Sequence, residues 1–114
     1  MSIAKVNITF INGDLVRMAI VEISVAEARK LMKSNLKLII LDVRTPAEFS
    51  QEHLKGAVNI DIYDENFKDN LEKLDKKKTY LVHCHAGVRC FIAAEIMGSI
   101  GFKKMYSVNG NLVE

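Results

Sequence analysis

Two apolar segments separated by a turn open the chain. Residues 6–11 and 15–20 are rich in β-branched and other apolar side chains, and the pair Asn12-Gly13 lies between them. Asn-Gly favours a tight hairpin because both central positions of a type I′ turn require a positive φ angle. We therefore predict an N-terminal β-hairpin over residues 1–21, followed by a domain over residues 22–114.

From residue 22 onward, short apolar runs alternate with segments that have helical spacing. The runs 38–43 and 79–83 are apolar on both faces, which is typical of parallel strands that helices cover on each side. Ser24 and Glu27 match a capping box and indicate a helix that begins beside them. The predicted strands are 38–43, 57–60, 79–83 and 104–108, and the predicted helices are 25–35, 46–52, 66–74 and 89–100. This alternation predicts an α/β domain with a mainly parallel sheet flanked by helices.

Composition limits the classes of function that the chain can have. Its 114 residues, 49% hydrophobic and 26% charged, fit one globular domain. A net charge of +2 is too small to indicate a nucleic acid or an anionic membrane as partner. The sequence has neither an apolar run of about 18 residues nor a secretory signal. Two cysteines are too few for a disulfide scaffold and suit a reducing compartment, so a cytoplasmic location is expected.

The candidate chemistry is concentrated in residues 83–90. The predicted strand 79–83 is followed by Cys84, four loop residues lead on from it, and Arg89 opens a helix. Ligands of open parallel sheets bind beyond the carboxyl ends of the strands. Loop N–H groups and a helix N-terminus stabilise an anion there, and Gly87 permits a backbone conformation closed to other residues. Because such surroundings lower a cysteine pKa from about 8.5 to roughly 3.5–7.5, we expect Cys84 to be largely thiolate at neutral pH.

The spacing between Cys84 and Arg89 helps to separate related chemistries. A Cys-x4-Arg loop is tight and suits a sulfur atom attached to the cysteine sulfur. A Cys-x5-Arg loop is wider and can surround the oxygens of a phosphate. This chain has the shorter spacing, which speaks against a phosphatase or an arsenate reductase of the same fold, although both stay open as alternatives.

The same loop resembles the Cys-x-x-Gly-x-Arg active-site loop of the rhodanese family of sulfurtransferases. Upstream, Asp42-Val43-Arg44, the pair Glu48-Phe49 and the stretch 53–60 resemble that family's first signature. The resemblance covers about residues 22–112 and implies a rhodanese-like three-layer α/β fold. Two separate motifs in the right order make the resemblance specific.

The resemblance implies covalent catalysis in two steps. Cys84 attacks the outer sulfur of a donor, either a small anion such as thiosulfate or a protein persulfide, and itself becomes a persulfide. A thiol or cyanide acceptor then removes the sulfur. The segment His85-Ala86-Gly87-Val88 supplies amides that bind the persulfide, and Arg89 orients the loop or attracts the anionic donor. No metal and no organic cofactor is implied.

Neighbouring residues have supporting or alternative roles. Asp42 and Arg44 follow a central strand, where we expect an ion pair or hydrogen bonds to the loop. The family more often has Ser or Thr at the position of Cys90, which is interpreted here as a packing residue or, alternatively, as a resolving thiol. His83 and His85 flank the reactive position and invite a zinc hypothesis. Consecutive residues point in different directions and the sequence offers no second ligand cluster, so no metal site is predicted.

A second hypothesis comes from a different class of function. The chain could be a carrier module that docks partners and passes persulfide sulfur along without turning over small donors. The presence of Cys84 disfavours a non-functional domain but leaves a dedicated carrier open. Turnover of thiosulfate separates the two hypotheses.

Overall fold

The computed structural model describes residues 3–11 and 13–113, with side chains described from residue 18 to residue 113. Six strands form one sheet: β1 (Ile3–Ile11), β2 (Asp14–Ser24), β3 (Ile39–Asp42), β4 (Val58–Asn59), β5 (Thr79–His83) and β6 (Lys104–Asn109). The helices are α1 (Val25–Ser34), α2 (Pro46–Gln51), α3 (Phe67–Leu71) and α4 (Val88–Ser99). The strand order is β1-β2-β6-β5-β3-β4, with β1 antiparallel to β2 and every other neighbouring pair parallel. The predicted α/β fold with a mainly parallel sheet is confirmed.

Helices cover both faces of the sheet, which makes the domain three-layered. Successive side chains of a strand point to opposite faces. Tyr80 and Val82 of β5 accordingly join a buried cluster with residues of α3 and α4, whereas Leu81 packs on the other side with Ala28 of α1. This arrangement explains why the strand is apolar at every position from Tyr80 to Val82, since each side chain has an apolar layer to enter.

The hairpin and the parallel sheet share a strand. β2 continues to Ser24, pairing with β1 on one edge and with β6 on the other. Met18 and Ile20 of β2 are buried in the same cluster as α4. Asn12 lies outside the described residues, so the type I′ turn stays a prediction. The division of the chain at residue 21 also stays a prediction, and β2 runs across that position without interruption.

One helix ends earlier than predicted because the α-helical hydrogen-bond pattern stops there. The helix predicted over 66–74 is found only at Phe67–Leu71. After it, the N–H of Leu74 donates to the carbonyl of Leu71 at 3.0 Å, a three-residue step that closes a tight turn instead of extending an α-helix.

At the N-terminus of α1 the predicted capping box is present, with 3.1 Å from the Glu27 N–H to Ser24 Oγ. Within the described residues, no helix combines the length and apolar character needed to cross a membrane.

The burial of Leu41 gives a direct test of this core. Leu41 lies on β3 and is 0% exposed, whereas Leu36 is 91% exposed just before the strand. Leu41→Ala removes buried methyl groups and leaves a cavity, so it should lower the free energy of unfolding by about 2–5 kcal/mol. Leu36→Ala, the matched control, should change it by less than about 0.5 kcal/mol. Urea unfolding measures both values, and equal losses would contradict the placement of Leu41.

Candidate active site

The sulfur of Cys84 lies at the carboxyl end of β5 under a cradle of backbone donors. The N–H of Gly87 donates to Cys84 Sγ at 3.2 Å, and the N–H of Cys90 donates to it at 3.3 Å. The N–H of Ala86 also contributes to lowering the pKa of Cys84. The Cys84 side chain is buried. The predicted loop between strand and helix therefore forms with its amides directed at the sulfur, in the manner of an anion-binding nest.

Gly87 is required at its position for two reasons. It is the N-cap of α4 and has a φ angle of 99°, in the left-handed region that side chains disfavour. A Cβ atom placed on it would lie 3.0 Å from Asn109 Oδ1 and 3.2 Å from Asn109 Cα. The loop is thus packed closely against the end of β6, and this contact holds the amides over Cys84.

The thiol of Cys90 affects the ionisation of Cys84. A hydrogen bond from this thiol contributes most to lowering the pKa of Cys84 well below its ordinary value; burial opposes the shift and the amides of Cys90, Gly87 and Ala86 reinforce it. The same contact raises the pKa of Cys90, which therefore keeps its proton. Cys90 Sγ also lies 3.2 Å from the carbonyl oxygens of Gly87 and Val108 and from Ser107 Oγ. Because a thiol has one proton to donate, these carbonyl oxygens compete with the Cys84 sulfur for it.

Arg89 is bound through both of its terminal nitrogens. Nη1 and Nη2 lie 2.7 Å and 3.0 Å from the two carboxylate oxygens of Glu48. Glu48 is itself fixed at the start of α2, where it forms a capping box with Thr45. The hydrogen bond from Arg89 is the main reason that the pKa of Glu48 is held at about 2. The ion pair joins the first turns of α2 and α4, and of the two roles implied for Arg89 this geometry favours orientation of the loop.

A buried polar network lies at the carboxyl ends of β3 and β5, the strand that leads into Cys84. Arg44 Nε and Nη2 donate to Asp42 at 2.9 Å and 2.7 Å, and Arg44 Nη2 also donates to the carbonyl of Glu52 at 2.7 Å. Burial by itself would raise the pKa of Asp42, but the interaction with His83, whose Nδ1 lies 3.7 Å from Oδ2, and the hydrogen bonds from Arg44 outweigh it and hold the pKa at about 2. The expected ion pair is therefore present, and Arg44 reaches the backbone at Glu52, not the loop 85–88.

The two histidines that flank Cys84 differ in burial and in their partners. His83 is buried, and its Nε2 accepts a hydrogen bond from the N–H of Leu112 at 3.2 Å. Its Nδ1 lies 3.7 Å from Asp42 Oδ2, beyond ordinary hydrogen-bond length. His85 is exposed, with Nδ1 3.3 Å from Asn111 Nδ2.

Several contacts in the site were not assigned from the sequence. Glu48 was recognised only as part of a motif, although Thr45 and Glu48 have capping-box spacing that locates the carboxylate at a helix start. Asn59 Nδ2 donates to the carbonyls of Asp42 and Arg44, both at 2.9 Å, and so fixes the backbone after β3. A pairing between Glu48 and Arg89 leaves no trace in a single sequence because 41 positions separate them.

The contact between the two thiols predicts a shift in ionisation. In Cys90→Ala the thiol donor is lost, so the pKa of Cys84 should rise towards the ordinary value of about 8.5. Cys90→Ser keeps a donor and should restore most of the lowering. Ultraviolet thiolate absorption followed against pH, with Cys84→Ser as the blank, measures the midpoint. An identical midpoint in wild type and Cys90→Ala would exclude Cys90 as the main donor.

The buried ion pair predicts a large effect on stability. Arg44→Met leaves the Asp42 carboxylate buried without its cation and should lower the free energy of unfolding by about 3–5 kcal/mol at neutral pH. The double change Asp42→Leu with Arg44→Met leaves no unpaired charge and should cost less than the single change. The stabilisation is present above the ordinary Asp pKa of about 4 and is lost as pH falls towards the folded pKa of about 2, so the gap between wild type and Arg44→Met should shrink over that range. Urea unfolding at several pH values measures this gap, and a constant gap would contradict the ion-pair explanation.

Known proteins share both the sequence pattern and the fold. Residues 24–114 match the family model described as the rhodanese-like domain. The chain is 33% identical over 89 residues to thiosulfate sulfurtransferase GlpE of Coxiella burnetii, covering 78% of this chain and 80% of that protein. It is also 33% identical over 90 residues to a tRNA uridine(34) hydroxylase of Cytophaga hutchinsonii, covering 75% of this chain and only 28% of the hydroxylase.

The structural comparison gives the same fold. The crystal structure of a rhodanese-like domain protein from Staphylococcus aureus superposes with a TM-score of 0.70 at 25% sequence identity, covering 80% of this chain and 86% of that one. The matched family region runs from the end of β2 to the end of the chain and includes the whole Cys84 loop. The chain therefore belongs to the rhodanese family.

Proposed function

We propose that this protein is a sulfurtransferase that carries sulfur as a persulfide on Cys84. The main support for the proposal is the pair of backbone donors on Cys84 Sγ, the N–H groups of Gly87 and Cys90, at 3.2 Å and 3.3 Å. These donors favour an anionic sulfur at neutral pH, and the thiolate is the form of cysteine that acts as a nucleophile. The similarity to thiosulfate sulfurtransferase GlpE supports the same chemistry.

The proposed reaction has two balanced steps. The Cys84 thiolate attacks the outer sulfur of thiosulfate, the sulfur–sulfur bond of the donor breaks, and sulfite leaves with the bonding electron pair. The product is a Cys84 persulfide whose negative charge lies on the outer sulfur. An acceptor thiolate or cyanide then attacks that outer sulfur, and the Cys84 thiolate leaves as it was at the start.

The loop suits a persulfide because its donors surround a small volume. A Cβ atom built on Gly87 would lie only 3.0 Å from Asn109 Oδ1 and 3.2 Å from Asn109 Cα. The loop is therefore packed closely against the end of β6. The amides of Gly87 and Cys90, at the N-terminus of α4, offer positive potential to an anion of this size. The Cys-x4-Arg spacing favours a single extra sulfur over a tetrahedral phosphate, which is the reason to prefer sulfur transfer to phosphatase or arsenate reductase chemistry.

The surrounding residues take positioning roles in this proposal. Arg89, bound to Glu48, holds the start of α4, and the pair of Asp42 and Arg44 supports the end of β3 beside the loop. Cys90 serves as a hydrogen-bond donor to the thiolate, because its raised pKa keeps it protonated and unsuited to act as a resolving thiol in the resting state. The partners are a sulfur donor and a thiol acceptor, with the cytoplasm as the proposed location.

Intact-mass measurement tests the proposal. Wild type incubated with thiosulfate should gain one sulfur atom, and dithiothreitol should remove it. Cys84→Ser should gain none, whereas Cys90→Ser, the matched control, should still gain one. An adduct that persists in Cys84→Ser would move the chemistry away from Cys84. Failure of thiosulfate to load wild type, together with loading by a persulfidated protein, would favour the carrier hypothesis.

A further inference from the structure

We propose that two copies of this chain associate through β1, which pairs edge to edge and antiparallel with β1 of the second copy. β1 is the outermost strand of the sheet, and in the part of the chain that the structure describes it has a neighbouring strand, β2, on one side only. The inference concerns assembly and goes beyond the proposed sulfur transfer. Three features support it: the length of the open edge, the lack of devices that protect an edge, and the order of residue types along β1.

β1 leaves a long edge of the sheet open. It spans nine residues, Ile3–Ile11, whereas β4 at the opposite edge spans two, Val58–Asn59. Among the described elements, β2 alone makes extensive contact with β1. An edge strand presents a row of backbone donors and acceptors to a further strand. The open side of β1 can therefore accept a strand along all of its residues.

β1 lacks the features by which proteins usually protect an open edge. Such features are prolines, several charged residues, and bulges that bend the strand away. The sequence of β1 contains no proline, and Lys5 is its one charged residue. Its register with β2 is unbroken from Ile3, opposite Glu22, to Ile11, opposite Asp14, so this described stretch has no bulge. An edge of this kind favours pairing with another strand.

The order of residue types along β1 suits a second copy of the same strand. The antiparallel register that pairs all nine residues has its two-fold axis at Asn7. In that register, apolar residues lie opposite apolar ones and polar residues opposite polar ones: Ile3 with Ile11, Ala4 with Phe10, Val6 with Ile8, Lys5 with Thr9, and Asn7 with its own copy. Cross-strand pairs of β-branched and aromatic residues stabilise a sheet, and no like charges meet here. This self-complementarity is the reason to infer a second copy of the chain, in preference to a strand of another protein.

The proposed interface lies apart from the Cys84 site. The region that matches the family model begins at residue 24, after β1 and almost all of β2. β2 and β6 separate β1 from β5, the strand that leads into Cys84. Because neighbouring strands are about 4.8 Å apart, β1 lies about 14 Å from β5. Pairing through β1 joins the two sheets side by side and leaves both Cys84 loops uncovered.

Sedimentation velocity of the full chain, over an about hundredfold range of concentration, tests the association. Wild type should shift from monomer to dimer as the concentration rises. Thr9→Glu places a carboxylate opposite Lys5 of the second copy, twice in each symmetric dimer, and should lower the dimer Kd about fivefold. Thr9→Lys places two cations opposite each other and should raise the dimer Kd about fivefold. Both shifts should shrink at high salt.

Two further variants separate the register from a general effect of charge. The double change Lys5→Glu with Thr9→Lys restores opposite charges at the same pair of positions and should return the dimer Kd towards that of Thr9→Glu. Ser50→Lys, the matched control, adds the same charge at an exposed position of α2, outside the hairpin, and should leave the dimer Kd at the wild-type value. Circular dichroism verifies that each variant is folded.

The outcomes decide between pairing through β1 and its alternatives. A dimer whose Kd follows the charges at positions 5 and 9 supports the stated register. Wild type that stays monomeric at every concentration would overturn the proposal and leave the edge to a strand of another protein. A dimer whose Kd ignores these changes would overturn it as well, because another surface would then join the copies. Loading of Cys84 by thiosulfate should be equal in Thr9→Lys and wild type, so its failure in both would count against the proposed function alone.

Discussion

A charged sulfur can be buried in a protein only if hydrogen-bond donors replace the water that it loses. Cys84 is buried, and its sulfur accepts hydrogen bonds from the N–H groups of Gly87 and Cys90. Much of the surrounding structure keeps those donors in place. The left-handed Gly87 lies against Asn109, and the ion pair between Glu48 and Arg89 fixes the first turn of α4.

The parallel sheet brings these parts together from distant positions in the chain. Because β3, β5 and β6 run in the same direction, their carboxyl ends meet at one edge of the sheet. Asp42 of β3 and His83 of β5 are opposite each other there in the strand register. The Asp42–Arg44 ion pair is buried at the same edge, beside the strand that leads into the Cys84 loop. The proposed chemistry thus depends on an arrangement in which each strand end contributes one part: the sulfur, the supporting ion pair, or the surface against which the loop packs.

Sequence patterns were sufficient for the order of elements and for the reactive loop. Runs that are apolar on both faces predicted β3 and β5, and the Ser24–Glu27 capping box predicted the start of α1. The spacing around Cys84 predicted a strand–loop–helix junction. These features are local, so a few consecutive residues determine them. The short α3 was overpredicted because the spacing of Phe67, Leu71 and Leu74 is the same in a helix as in a helix followed by a tight turn.

Contacts between distant residues were not predictable in the same way. The pairing of Arg89 with Glu48 depends on how α2 and α4 approach each other across the sheet edge. The effect of Cys90 on the Cys84 pKa depends on the side-chain direction in the first turn of α4, which a sequence position alone does not give. The continuation of β2 into the parallel sheet depends on its partner β6, which lies far along the chain.

The central claim is that the donors around Cys84 hold an anionic sulfur and, after transfer, a persulfide. The most direct test is a crystal structure of the protein after treatment with a sulfur donor. One additional sulfur atom should be bonded to Cys84 Sγ, within hydrogen-bond distance of the loop amides that follow Cys84, with Cys90 unmodified. Additional sulfur on Cys90, or a Cys84 persulfide directed away from those amides, would contradict it.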